Sequence, residues 1–142
     1  ANRDLRPGEL LVAVRIPPPA EGHHGAYGKL RTRGSIDFPL LGVAVRVDLD
    51  SQGTISSADL VLTALQARPL RVRKAAGLLE GRSPTDADFD ATIQSVAAAA
   101  KKQCHPLANI PGDHEYRHEM VPVYVSRTLR AAIQAAGPVH HI

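Results

Sequence analysis

The most constraining feature of this 142-residue chain is a change of hydrophobic period about halfway along it. Within residues 40–49, Val43, Val45 and Val47 fall on one face of an extended chain, and Ala44 and Arg46 fall on the other. Such a period of two indicates a half-buried β-strand, whereas from about residue 70 the apolar residues recur every three to four positions, as in amphipathic helices. The pattern predicts an α+β fold, with an antiparallel sheet of three to four strands followed by three helices packed on one face.

Four segments have the alternation and the β-branched residues of strands: residues 9–16, 26–33, 40–49 and 54–64. The first is stopped by the three prolines at 17–19, because proline has no N–H to donate to a neighbouring strand. The last two form a hairpin through a short turn that ends in Gly53, a residue that tolerates the left-handed conformation wanted there. We expect a single domain over residues 1–142, with its strands within residues 9–64.

Three helices are predicted to follow, over about residues 70–81, 85–102 and 114–136. Thr85 is the expected N-cap of the second helix. Lys101 and Lys102 lie at its end, where cations are favoured by the helix dipole. Pro122 should kink the third helix or move its start to Pro122 itself, because proline disrupts a helix interior.

Composition excludes several classes of function. Aromatic residues make up only 4% of the chain and tryptophan is absent, which argues against a surface that binds nucleic acid by stacking bases. The apolar runs are too short for a membrane span. A single cysteine, Cys104, excludes an internal disulfide and is expected to be a small buried hydrophobic residue. The first residues lack the form of a signal peptide, so the cytoplasm is the expected location.

One segment matches a metal-site motif. His114-Glu115-Tyr116-Arg117-His118 reads H-E-x-x-H within a predicted helix, where two histidines four residues apart could hold zinc and the glutamate could act as a base. A catalytic zinc site needs a third protein ligand, and the residues after His118 do not supply the extended motif. We therefore favour a charged helix start with Arg117 and Glu119 facing solvent, and we retain a zinc-dependent hydrolase as an alternative.

The second predicted strand places cations on one side. With strict alternation, Tyr27, Lys29, Arg31 and Arg33 share a face of the sheet. One interpretation is an ordinary polar outer face. The other is a surface that meets an anionic or electron-rich group from another domain or subunit, and Lys29 is then the central residue.

Four segments, in order along the chain, resemble motifs of one family. That family is the C-terminal domain of the FAD-binding (medium) subunit of molybdenum hydroxylases, as in carbon monoxide dehydrogenase, 4-hydroxybenzoyl-CoA reductase and the flavin portion of xanthine dehydrogenase. The resembling segments are the strand Glu9–Pro17; Tyr27-x-Lys29-x-x-x-Arg33-x-x-x-Asp37 followed by Val43-Ala44-Val45; Arg68-Pro69 with Leu79-Glu80-Gly81; and Tyr116-Arg117-x-x-Met120 followed by residues 125–131.

The resemblance implies a role within an FAD-dependent oxidoreductase complex. In such enzymes electrons pass from a molybdenum cofactor through iron–sulfur clusters to FAD, and an N-terminal domain holds most of the FAD. The implied partners are that N-terminal domain, an iron–sulfur subunit and a molybdenum subunit. The resemblance places Lys29 near the isoalloxazine ring and makes Leu11 an apolar contact with the flavin. The isolated domain is not expected to be catalytic, and a non-catalytic interaction domain is a further alternative.

Overall fold

The computed structural model describes residues 6–19, 21–34, 38–109 and 114–135. Four strands form one antiparallel sheet in the order β1-β2-β3-β4: β1 (His23–Leu30), β2 (Leu41–Leu49), β3 (Ile55–Thr63) and β4 (Leu70–Arg71). Three helices follow: α1 (Ala75–Leu79), α2 (Phe89–Gln103) and α3 (His114–Gln134). The predicted α+β fold is therefore confirmed.

The alternating residues of β2 determine which side of the sheet becomes the core. Val43, Val45 and Val47 are buried on the face that the helices cover. Helix α3 lies against β1 and β2, α1 lies against β3, and α2 packs on α1 and α3. Complete burial of a valine or leucine side chain is worth roughly 1.5–3 kcal/mol, so this face supplies much of the folding free energy.

The opposite side of the sheet, which we call the outer face, carries the polar half of the alternation. The register pairs Tyr27 with Ala44 and Lys29 with Gly42 across β1 and β2. Across β2 and β3 it pairs Arg46 with Asp59. The side chains of the outer face are therefore set at fixed positions by the backbone ladder. Within the described ranges, no helix is long and apolar enough to cross a membrane.

The predicted first strand is wrong. Residues 9–16 form no strand, and their apolar side chains are exposed. The sheet begins instead at His23, three residues before the predicted second strand. The alternation of residues 9–16 is real, but the three prolines that follow it have no N–H groups and hold the chain extended, so a tight hairpin back onto β1 is not available.

The first two helices begin later than predicted. Residues Leu70 and Arg71 pair with β3 as the short strand β4, which leaves α1 only residues 75–79. Thr85 is not the N-cap of α2, which starts at Phe89 after Asp88. The reason is local: the Asp86 carboxylate accepts the Ser83 N–H at 2.9 Å, and this bond closes a turn before the helix.

Helix α3 is continuous from His114 to Gln134 and contains Pro122, so a start at Pro122 is wrong. Val121, Val125 and Leu129 recur every four residues and are fully buried. These side chains anchor the helix to the core beside and beyond Pro122. Tertiary packing therefore offsets the cost of an interior proline.

Candidate functional site

The centre of the outer face is built around Gly42. A Cβ at this position would lie 2.2 Å from Thr63 Oγ1 and 2.6 Å from the Tyr27 hydroxyl oxygen. Tyr27 comes from β1 and Thr63 from β3, so side chains of both neighbouring strands reach over the same glycine. The absence of a side chain at Gly42 is therefore what allows these two hydroxyl groups to lie on β2.

The Tyr27 side chain lies along the surface of the sheet instead of projecting from it. Its ladder partner is Ala44, yet its hydroxyl reaches Gly42, two residues further along β2. The side chain is nevertheless 60% exposed, so much of the ring remains accessible. The outer face thus presents an accessible aromatic ring over a floor of small residues.

Lys29 follows Tyr27 by two residues, on the same side of β1. It is half-buried, and its ladder partner is Gly42, the same residue that the Tyr27 hydroxyl covers. The prediction that Lys29 lies on a strand is confirmed. The same side of the sheet therefore carries a cation and an accessible aromatic ring two residues apart on β1.

The predicted row of cations below Tyr27 is wrong beyond Lys29. Strand β1 ends at Leu30, whose carbonyl accepts the Leu40 N–H at 2.8 Å and closes the connection to β2. Arg31 and Arg33 are exposed residues after that end, so the strand alternation does not apply to them. Asp37 lies outside the described residues.

Leu11 is 72% exposed and belongs to residues 9–16, which are not part of the sheet. The structure therefore places the two expected flavin contacts differently. Lys29 is fixed by the backbone ladder, whereas Leu11 lies on an extended segment. Both assignments to the flavin stay predictions.

A network of charged side chains crosses the other end of the outer face. Asp48 lies 2.8 Å from His23 Nδ1 and also accepts from Arg46, which donates to Ser57 at 2.9 Å. Next to it, Arg71 donates from Nη2 to Asp59 at 2.6 Å. The network joins all four strands. Alternation alone did not reveal it, since the pairing depends on the register between strands.

The H-E-x-x-H segment does not form a zinc site with the described residues. His118 Nε2 lies 2.9 Å from the Lys101 carbonyl oxygen. A carbonyl oxygen only accepts, so Nε2 is the donor in this contact. His114 is exposed near Glu115. Across the described ranges there is no group of three or more histidine, cysteine, aspartate or glutamate residues that could hold a metal ion.

Arg117 is buried, although the sequence predicted it on the surface. It was expected to face solvent, yet it is 1% exposed. Its guanidinium donates to the carbonyls of Leu40 at 2.8 Å and Leu107 at 3.2 Å, to Asn109 Oδ1 at 2.8 Å, and to the Ala64 carbonyl. The available signal was its spacing, because residue 117 precedes the core positions 121 and 125 by whole steps of four.

Arg117 also stabilises an unfavourable backbone conformation at Ala64. Ala64 adopts a left-handed φ of 67°, a conformation that costs free energy for a residue with a Cβ. Its carbonyl is one of the acceptors of Arg117, so the contact holds this turn in place.

Cys104 is buried as predicted, and burial raises the pKa of its thiol to about 11.

Comparison with known proteins identifies the class. Residues 25–132 match the family described as the CO dehydrogenase flavoprotein C-terminal domain, and the chain belongs to this family. The matched range begins within β1, at residue 25, and contains the rest of the sheet and the helices up to residue 132 of α3.

Individual relatives agree with this class. The chain is 30% identical over 134 residues to the 6-hydroxypseudooxynicotine dehydrogenase complex subunit alpha of Paenarthrobacter nicotinovorans, covering 94% of this chain and 44% of that protein. It is 34% identical over 104 residues to the aldehyde oxidoreductase FAD-binding subunit PaoB of Escherichia coli, covering 73% of this chain and 28% of that protein. A structure of reconstituted CO dehydrogenase from Oligotropha carboxidovorans superimposes with a TM-score of 0.75 at 32% identity, covering 92% of this chain and 44% of that one. This chain thus spans less than half the length of each.

Proposed function

We propose that this chain is the C-terminal domain of the FAD subunit of a molybdenum hydroxylase complex, and that its outer face covers one side of the flavin. The observation that carries the proposal is the family match over residues 25–132, which includes the Tyr27–Lys29 strand and its neighbour β2. The PaoB relative, which is named as an FAD-binding subunit, supports the choice of cofactor.

The residues of the outer face fit the ring portion of FAD. A planar ring system needs an accessible surface, and the Tyr27 side chain, which lies over Gly42 beside the small residue Ala44, offers one in the middle of the sheet. The accessible ring of Tyr27 offers an offset-stacking partner. The sequence contains no glycine-rich phosphate-binding loop, so these residues do not fit the pyrophosphate. The chain would therefore contribute to a flavin site that is mainly formed elsewhere.

Each site residue would have a distinct role. The Lys29 ammonium would stabilise negative charge at the pyrimidine end of the ring, and Leu11 would exclude water from it. The flavin, when bound, would supply the electron-accepting chemistry. The partners would be the flavin-binding N-terminal domain and the iron–sulfur and molybdenum subunits, in the cytoplasm, and the chain alone would not be catalytic.

The alternatives have less support. A zinc hydrolase would need a third protein ligand beside His114 and His118, and the described ranges hold no group of three or more histidine, cysteine, aspartate or glutamate residues that could hold a metal ion. If the chain were a non-catalytic interaction domain, replacement of Lys29 would change neither the midpoint potential nor the affinity of a flavin. The experiment on Lys29 therefore separates that alternative from the proposed function.

The test uses the flavin-loaded assembly with Lys29→Ala, Lys29→Arg and the control Arg31→Ala, which removes a neighbouring exposed cation outside β1. Spectroelectrochemistry gives the midpoint potential, and flavin release gives the affinity. Lys29→Ala should lower the potential by about 30 mV, equivalent to ~1.4 kcal/mol for a two-electron couple. Lys29→Arg should restore most of it, and Arg31→Ala should have little effect. An unchanged potential and affinity in Lys29→Ala would show that the site is wrong.

A further inference from the structure

A cleft of about 330 Å³ lies where the C-terminal end of α2 meets the connection between β4 and α1. It is lined by three cations, Arg73, Lys74 and Lys102, together with Ala99 and Gln103, and we call it the basic cleft. Ligand pockets in proteins have volumes of about 300–1,000 Å³. The basic cleft is therefore large enough for a small molecule.

The side chain of Gln103 joins the two walls of the basic cleft. Its Oε1 accepts the Arg73 N–H at 3.0 Å, and its Nε2 donates to the Arg71 carbonyl at 2.9 Å. Val72, between those two residues, is buried in the core. Because both ends of the Gln103 amide are bonded, the connection after β4 and the end of α2 are held at a fixed separation. The cleft is thus built into the folded domain.

The three cations of the basic cleft have no carboxylate to pair with among the described residues. Lys101, next to Lys102 in α2, pairs with Glu119 at 2.7 Å. The lining residues of the cleft include no aspartate or glutamate, and nothing in the described ranges forms an ion pair with its three cations. Like charges around one space repel each other, and a cleft with walls of low dielectric strengthens their field. An anion would relieve this repulsion.

Helix stability does not account for all three cations. Lys102 lies in the last turn of α2, where the helix dipole favours a positive charge. Arg73 and Lys74 instead precede α1, and Lys74 is its N-cap residue without a side-chain capping bond. The dipole does not favour a cation at a helix start. The positions of Arg73 and Lys74 therefore indicate a role other than the stability of α1.

The charge and the inner surface of the basic cleft define the class of ligand. A phosphate monoester carries about 1.5 to 2 negative charges at pH 7, so it matches three cations better than a carboxylate, which carries one. Arginine and lysine both bind phosphate, the first through its planar fork and the second as a point charge. The inner surface is mainly apolar, since it consists largely of Ala99 and the stems of long side chains. It therefore suits a ligand that also has an apolar group.

We propose that the basic cleft binds a phosphate monoester that carries a small apolar or aromatic group. The phosphate lies among the three cations, and the apolar group lies against Ala99. The cleft is at the β4 edge of the sheet, whereas Lys29 is on β1 at the opposite edge. The inference therefore goes beyond the proposed role at the flavin, and no result on Lys29 bears on it.

Isothermal titration calorimetry of the 142-residue chain with phenyl phosphate tests the class of ligand. Phenyl phosphate should bind at least ~10-fold more tightly than inorganic phosphate, which lacks the apolar group, and than benzoate, which carries one charge. Absence of binding, or an equal affinity for either control, would overturn the inference. The flavin-loaded assembly should bind phenyl phosphate with the same affinity. Loss of binding there would also overturn the inference, because a partner would occupy the cleft.

Substitutions test the residues. Lys74→Gln combined with Lys102→Gln should weaken phenyl phosphate binding by at least ~10-fold, because charge-assisted hydrogen bonds are lost. Both side chains are exposed, so the melting temperature should stay the same. Lys74→Arg combined with Lys102→Arg keeps the charge and should retain most of the affinity. The matched control Arg31→Gln removes an exposed cation after the end of β1 and should bind normally. Equal weakening by the control would refute the site, because net charge alone would then explain the binding.

Amide chemical shifts locate the ligand. During titration with phenyl phosphate, the largest changes should occur at the amides of residues 73–75 and 101–103, which border the basic cleft. Largest changes on β1 or after its end would place the phosphate elsewhere and refute the proposed site.

Discussion

Replacement of Arg117 by alanine should strongly destabilise this domain. The guanidinium is almost completely buried and donates to three main-chain carbonyls and to Asn109. Its removal leaves the carbonyls of Leu40, Ala64 and Leu107 without that donor. An unsatisfied buried polar group costs about 1–3 kcal/mol. Because partial relaxation and water entry recover some of this cost, we expect a total loss of roughly 3–5 kcal/mol.

Urea denaturation of the isolated chain followed by circular dichroism measures this loss as a lower midpoint at an unchanged slope. Arg130→Ala is the matched control, because Arg130 makes an exposed ion pair with Asp90 at 2.9 Å. Such pairs contribute about 0–1 kcal/mol. Arg117→Lys should fall between the two, since one ammonium cannot reach all four acceptors. If Arg117→Ala cost no more than Arg130→Ala, the assignment of Arg117 as a central structural donor would be refuted.

Two other predictions concern the sheet and the thiol. Gly42→Ala should lower the free energy of unfolding by about 1–2 kcal/mol, because the added Cβ would contact the hydroxyl groups that lie over Gly42. Gly77→Ala, where a Cβ meets no heavy atom within 4 Å, should instead stabilise helix α1 by about 0.5–1 kcal/mol, and equal effects in thermal melts would contradict the role of Gly42. The raised pKa of Cys104 leaves roughly one thiol in a thousand ionised at pH 8, so a thiol reagent should label the folded chain far more slowly than the urea-unfolded chain. Rapid labelling of the folded chain would show that the thiol is accessible.

Periodicity located the central strands well. The predicted segments 40–49 and 54–64 correspond to β2 at Leu41–Leu49 and β3 at Ile55–Thr63. Both strands have one buried face, so their alternation reflects their actual surroundings. Residues 9–16 show the same alternation without forming a strand, because alternation is a local pattern and does not supply the neighbouring strand that pairing requires.

Other errors arose where contacts distant in sequence or local polar bonds decide the structure. Thr85 has the right residue type for an N-cap, but the nearby Asp86–Ser83 bond closes a turn and delays the helix to Phe89. Arg117 was expected in solvent because charged residues usually lie there. Its acceptors come from three separate connections, which no local pattern reveals.

The candidate site was predicted in part. Alternation predicted that Lys29 lies on a strand. It did not predict that the Tyr27 hydroxyl lies over Gly42, the residue of β2 that pairs with Lys29. The register that brings Gly42 and Thr63 beside them follows from the turn between β2 and β3 and from core packing. Sequence alone therefore indicated the cation but not the hydroxyl groups that lie over Gly42 beside it.

The hydrogen bonds of Arg117 also bear on which part of the domain folds last during synthesis. The guanidinium belongs to the last described helix, whereas its acceptors lie in the connections after β1, β3 and α2. On a ribosome these connections emerge before the side chain that joins them. The contact with Leu40 spans 77 residues, and contacts of such long range form slowly. The end of the sheet where the connections meet is therefore completed last, and a nascent chain stays open to chaperones and proteases there until α3 docks.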